Sequence, residues 1–212
     1  SGAGASVTLT TPQAVPNTPA APDISAVTAT TAQVMMGTPT TPGLPVTDTG
    51  AWIYDAASGG NQVWSDGVTD LATQWGVTGL PRATDLWAEV AAKNDAGWSS
   101  RSTRTKFTTL PDLPTQPKNY TLRDITANTA YTTSVFVDDN GGEALTDIRV
   151  QWNTAPSEVG ATTTTMGSWT DALLEGLVAG ETYSYRVAVA NRAGWSPWGE
   201  WAVFTTNPYV PN

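Results

Sequence analysis

The sequence predicts an all-β protein made of two tandem β-sandwich domains, and three observations carry that reading. The segment 187–196 (VAVANRAGWS) repeats 90–99 (VAAKNDAGWS) at an offset of 97 residues, and a repeat of this length marks a duplicated domain. Apolar residues come in short runs of period two, the pattern of half-buried strands. Turn clusters separate those runs and no amphipathic helix stands between them, which over roughly 100 residues per copy is the signature of an antiparallel sandwich.

The duplication extends well beyond its best-matched stretch. Gly79 and Leu80 recur as Gly176 and Leu177, and Phe107, Thr108 and Thr109 recur as Phe204, Thr205 and Thr206, all at 97. Upstream, 27–32 (VTATTA) answers 125–130 (ITANTA) at 98, as Pro16 and Pro19 answer Pro114 and Pro117. The one-residue slip belongs in a loop, where length varies most freely. The expected domains are 16–110 and 111–212, preceded by an extension at 1–15. Leu9, Thr10 and Thr11 stand before Pro12 and Pro16 much as Phe107, Thr108 and Thr109 stand before Pro111 and Pro114. The extension therefore reads as the last strand of a further unit in a longer array, or as a strand that pairs with a neighbouring subunit; the alternative is a loose terminus with a chance three-residue match. Between the domains, 110–117 (LPDLPTQP) holds three prolines, which favour extended geometry and a short, semi-rigid joint. An array of such units would form a stiff rod.

The strands follow from alternation. Tyr183, Tyr185, Val187 and Val189 alternate with Ser184, Arg186, Ala188 and Ala190. Ile148, Val150 and Trp152 alternate with Arg149 and Gln151, and Leu86, Ala88 and Val90 alternate with Trp87 and Glu89. The clusters 138–142 (DDNGG) and 58–61 (SGGN) read as turns.

Each half resembles a fibronectin type III domain of the immunoglobulin-like class. The second half carries the resemblance best: 142–152 (GEALTDIRVQW) is similar to that family's third strand and the loop before it, and 176–197 (GLVAGETYSYRVAVANRAGWSP) to the segment that ends in the sixth strand and its following loop. Leu177, Gly180, Thr182, Tyr183, Arg186, Val187, Asn191, Gly194 and Ser196 stand where the family has the same or similar residues. The resemblance implies that Tyr183 forms a tyrosine corner, its hydroxyl bonding backbone a few residues upstream. Leu86 takes that position in the first half, whose corner would be held by packing. The tryptophan usual in the second strand is missing from both halves, with Met36 and Phe136 near its place.

Composition excludes several functions. Nineteen acidic against ten basic residues give a net charge of −9, the opposite of the basic stripe a nucleic acid requires. Nothing approaches the ~18 consecutive apolar residues of a membrane span, so no membrane insertion is expected, and 1–6 (SGAGAS) lacks the pattern of a secretion signal. The chain has no His and no Cys, which removes Ser/His, Cys/His and His–metal chemistry. A carboxylate pair remains formally open, but the acids are scattered through turns, and no catalytic residue, cofactor or metal is expected. Asp138, Asp139, Asn140 and Glu143 offer oxygens to a calcium ion, although turn geometry accounts for the same residues. Asn119, Tyr120 and Thr121 form a glycosylation sequon.

Ten tryptophans remain to be explained. If Leu86, Ala88, Val90 and Ile53 face the core, Trp87 and Trp52 face outward on neighbouring strands, as a candidate surface for a sugar or a partner protein; the alternative is that flanking long side chains or the adjacent domain cover them. Trp195, Trp198 and Trp201 recur every three residues near Arg186 and Arg149. This resembles the tryptophan and arginine ladder of cytokine-receptor domains, in which cations lie over indole faces, with Gly199 in place of the second serine of that motif. We read it as structural.

The expected function is thus a non-enzymatic structural or attachment module, an exposed rod in a surface assembly. In composition the chain resembles tandem domains of bacteriophage virions, appended to tail or capsid proteins, which implies a place on the virion surface, other subunits as partners, self-contact through the N-terminal strand, and host-surface glycans as ligands. The alternative is an extracellular spacer or carbohydrate-binding, adhesive module of a secreted bacterial protein.

Overall fold

In a computed structural model that describes residues 13–67, 71–133, 135–167 and 171–209, the chain divides into two compact units, Ser1–Thr109 and Leu110–Asn212. All regular structure among the described residues is β-strand, and every strand pairing is antiparallel. The two halves are tandem β-sandwiches.

In the first unit one sheet runs in the order β1 (Asp23–Ser25), β2 (Ala32–Met35), β5 (Gln74–Val77). The other runs β4 (Gln62–Gly67), β3 (Asp48–Tyr54), β6 (Asp85–Asn94), with β7 (Gly97–Trp98) and β8 (Thr105–Thr108) on the far edge of β6. Val34, Val77, Ile53, Leu86 and Val90 are fully buried between the sheets, with Trp75 among them. The second unit repeats the plan. Its smaller sheet holds β9 (Thr121–Arg123), β10 (Ala130–Thr133) and β13 (Leu173–Leu174). The larger holds β11 (Asp147–Asn153), β12 (Thr162–Met166), β14 (Thr182–Asn191), β15 (Gly194–Trp195) and β16 (Ala202–Thr205), with β14 flanked by β11 and by β15 and β16. Ile148, Val150, Val187, Val189 and Leu174 form its core with Trp152.

The position of the usual second-strand tryptophan is resolved differently in the two units. Met36 is buried in the first core, whereas Phe136 stays 55% exposed. The core indoles come from other strands, Trp75 from β5 and Trp152 from β11.

Both corners are tied by hydrogen bonds. The Tyr183 hydroxyl accepts from the Val178 amide at 3.0 Å. The first unit has Leu86, fully buried, in that place, but packing is not its only fastening: Thr109 Oγ1 donates to Pro81 O at 2.6 Å and accepts from the Thr84 amide at 3.0 Å. Thr206 ties the second unit in the same way, to Val178 O and the Glu181 amide.

Each sandwich also grips the chain that leads into it. Asn94, almost fully buried, donates from Nδ2 to Ala14 O at 2.9 Å and accepts from the Ala96 amide. Asn191 does the same with Asp112 O at 2.7 Å and the Ala193 amide. Val15 and Leu113 then lie against Gly97 and Gly194, whose φ values of 131° and 136° suit glycine. The expected strand at Leu9, Thr10 and Thr11 lies outside the described residues.

Candidate functional site

The central strands β6 and β14 of the larger sheets bury both their faces, and the outer face is where the two units diverge. In β6 and β14 even outward residues such as Glu89, Ala91 and Arg186 are buried, because a layer of long side chains covers them.

In the second unit that layer is a ladder of alternating rings and cations. The Arg149 guanidinium lies 4.5 Å from the Trp195 ring and 4.3 Å from Trp198, and Arg186 lies 4.8 Å from Trp198 and 4.6 Å from Trp201. The strand pairing sets this order, since Arg149 sits on β11 opposite Ala188 and Arg186 sits on β14 opposite Gln151. Arg186 Nε donates to Gln151 Oε1 at 2.8 Å, and its Nη2 pairs with Glu158. Arg149 Nε is buried without an acceptor among the described residues; burial, then the like charge of Arg186, holds its pKa below the usual arginine value. Indole faces are what stabilise that cation.

The first unit builds its layer with the roles exchanged. The 97-residue offset places Arg101 and Arg104 where the second unit has Trp198 and Trp201, and Glu89 where it has Arg186. Here the rings come from β3: Arg101 lies 3.5 Å over Trp52 and Arg104 lies 3.7 Å over Tyr54. Glu89 accepts from both arginines, at 3.1 Å from Arg101 Nη1 and 2.9 Å from Arg104 Nε. Arg104 Nη1 also donates to Ala56 O and Gly59 O. In place of Arg149 stands Gly50, paired with Ala91. The Trp52 ring fills that space, and a Cβ on Gly50 would fall inside it.

Of the outward aromatic pair, Trp52 is therefore not exposed. It keeps 9% of its surface, covered by Arg101 and by Trp98, whose ring centroid lies 5.7 Å away. Trp87 is half-buried, opposite Tyr54 rather than Trp52, with Lys106 Nζ 5.5 Å from its ring. Long flanking side chains do the covering, and the two rings do not form one open platform. Among the described residues the exposed indole is Trp98. It belongs to the repeated GWS, which sequence reading took as a marker of duplication alone; the exchange of Trp198 for Arg101 at the same offset was the available sign.

Gly199 also acquires a reason. Ser102 Oγ in the first unit accepts from the Val90 amide at 3.0 Å. At Gly199 the Tyr120 ring occupies the space a side chain would need, its hydroxyl donating to Glu200 O. Burial, with Tyr185 and Glu200 nearby, pushes the Tyr120 phenol up to about 12, so it stays a neutral donor. The groove of about 420 Å³ beside it and Trp201 is also lined by the Glu200 carboxylate, which accepts from Gln116 Nε2 at 3.1 Å.

The acidic loop is internally engaged. Asp138 pairs with Lys118, Asp139 Oδ1 accepts from the Gly141 amide, Asn140 Oδ1 from the Gly142 amide, and Glu143 pairs with Arg192. Asn119 is exposed with φ 52°. No family model matches the chain.

Proposed function

We propose that the protein is a non-enzymatic attachment module of fibronectin type III kind, an exposed rod in a surface assembly of a bacteriophage virion, with other subunits as partners. The observation that carries this reading is the repeated grip on the incoming chain, Asn94 on Ala14 and Asn191 on Asp112. Each unit brings its own fastening for the segment before it, as concatenated modules require. The strand order of three against four, with the last strand split in two, supports the family. Charge and composition support a non-enzymatic role: there is no His or Cys, and Glu89, a buried carboxylate, is held by two arginines.

The test is location. Antibodies against the chain should decorate one site on purified particles of the source, in every particle, by immunogold microscopy. Recovery of the protein only from particle-free culture supernatant would instead establish the secreted adhesive module.

A further inference from the structure

Exchanging the ladder's parts leaves one ring without a guanidinium over it and partly exposed. In the second unit the Arg149 guanidinium lies over Trp195. The equivalent Trp98 packs against Trp52 with planes at 77°, has Lys93 Nζ only loosely over its ring at 5.8 Å from the centroid, and remains 39% exposed. Between the two indoles lies a notch of about 350 Å³, lined by Trp52, Ala91, Trp98, Ser99 and Arg101. That is the small end of the ~300–1,000 Å³ span of ligand sites, suited to one ring.

The charge at the notch is also distinctive. Arg101 and Arg104 share the single carboxylate of Glu89, and Lys93, beside Trp98, is matched by Asp48. The ion pairs thus leave one positive charge over, in a chain whose net charge is −9. Arg104 is further occupied by two backbone carbonyls. Arg101 is 40% exposed at its side chain and bonds through Nη1 to Glu89 and to the Tyr54 hydroxyl, leaving Nη2 without an acceptor among the described residues.

We propose that the notch between Trp52 and Trp98 binds an acidic pyranose, a uronic-acid residue of a surface glycan. Its C–H face lies on the exposed part of the Trp98 indole, and its carboxylate takes the free edge of the Arg101 guanidinium in a charge-assisted contact. A flat apolar wall beside one surplus cation matches a ring that is apolar on its face and anionic at its rim. Neutral sugars lack the second contact, and a peptide carboxylate lacks the first. This rests on the attachment reading only for the origin of the glycan: failure to bind would leave the protein's place on a particle intact, and absence from particles would leave binding intact.

The experiment titrates the full chain with methyl β-glucuronide and follows the Trp98 indole N–H resonance, assigned as the peak lost in Trp98→Phe. Saturable, salt-sensitive binding with millimolar Kd is expected, about tenfold tighter than for methyl β-glucoside. Arg101→Gln should remove that preference. Ala91→Leu, which fills the notch from its floor and keeps Trp98, should abolish binding. Equal binding of the two sugars, undiminished binding in Ala91→Leu, or no saturable shift well above millimolar sugar would overturn the proposal. Tighter binding of a short aspartate-rich peptide than of the uronide would overturn the saccharide in favour of a protein partner.

Discussion

Gly50 and Arg149 occupy the same place in two sheets of the same plan, opposite Ala91 and Ala188, yet the layers built on them are inverted. The second unit sends cations up from its strands and receives indoles from β15 and the chain beyond it. The first unit sends Trp52 and Tyr54 up from β3 and receives Arg101 and Arg104 from the chain beyond β7. Attraction between a cation and a ring face does not depend on which strand supplies which partner. Duplicated sandwiches can therefore drift to opposite solutions while both keep a covered outer face. The inversion has an electrostatic cost that each unit meets differently. Two neighbouring arginines need a carboxylate between them in the first unit, and Glu89 supplies it; the second keeps Trp198 between its cations.

That contrast can be broken by single substitutions, read by denaturing the full chain and following the transition of each unit. Glu89→Ala leaves two arginines facing each other without their buried carboxylate and should cost the first unit about 3 kcal/mol. Glu158→Ala, which removes a carboxylate 71% exposed, should cost the second about 0.5 kcal/mol. Equal losses would show that Glu89 does not neutralise its layer as described. Next in size, Gly50→Ala drives a methyl into the Trp52 ring and should cost about 2 kcal/mol with a changed indole environment in near-ultraviolet circular dichroism; an unaffected spectrum would place Trp52 elsewhere.

Trp198→Ala removes the ring shared by Arg149 and Arg186. Each cation over a ring is worth about 0.5–1 kcal/mol at exposed sites, so a loss of about 1.5 kcal/mol is expected in the second unit's transition alone. No loss would strip the ladder of its structural role. A smaller effect than these belongs to the corner: Tyr183→Phe deletes the hydroxyl that accepts from the Val178 amide, at about 1 kcal/mol, with the Thr206 tie intact. A loss several times larger would show that threonine does not share the load.

Much of this was legible in residue order. Alternation in 183–190 and 148–152 located β14 and β11 because a half-buried strand must repeat every two residues. The second ladder was legible through the resemblance of Trp195, Trp198 and Trp201, three residues apart and near Arg186 and Arg149, to the tryptophan and arginine motif of cytokine-receptor domains. The first ladder was hidden for a physical reason. Parity says that Trp52 points outward, but not that a guanidinium twelve residues beyond Glu89 folds back over it. Cover by a long side chain is a tertiary event with no local period. The roles of Trp75 and Gly199 were equally out of reach, the first because a core can take its bulk from any facing strand, the second because it depends on Tyr120, distant in sequence and adjacent in space.

The buried asparagines have an evolutionary consequence. Since the residue that captures an arriving carbonyl sits inside the unit it serves, a crossover falling just after Thr109 would move a complete socket with its plug. A segment cut there keeps each asparagine donor with the carbonyl it captures, Asn94 with Ala14 and Asn191 with Asp112, so one unit can be duplicated without breaking either contact.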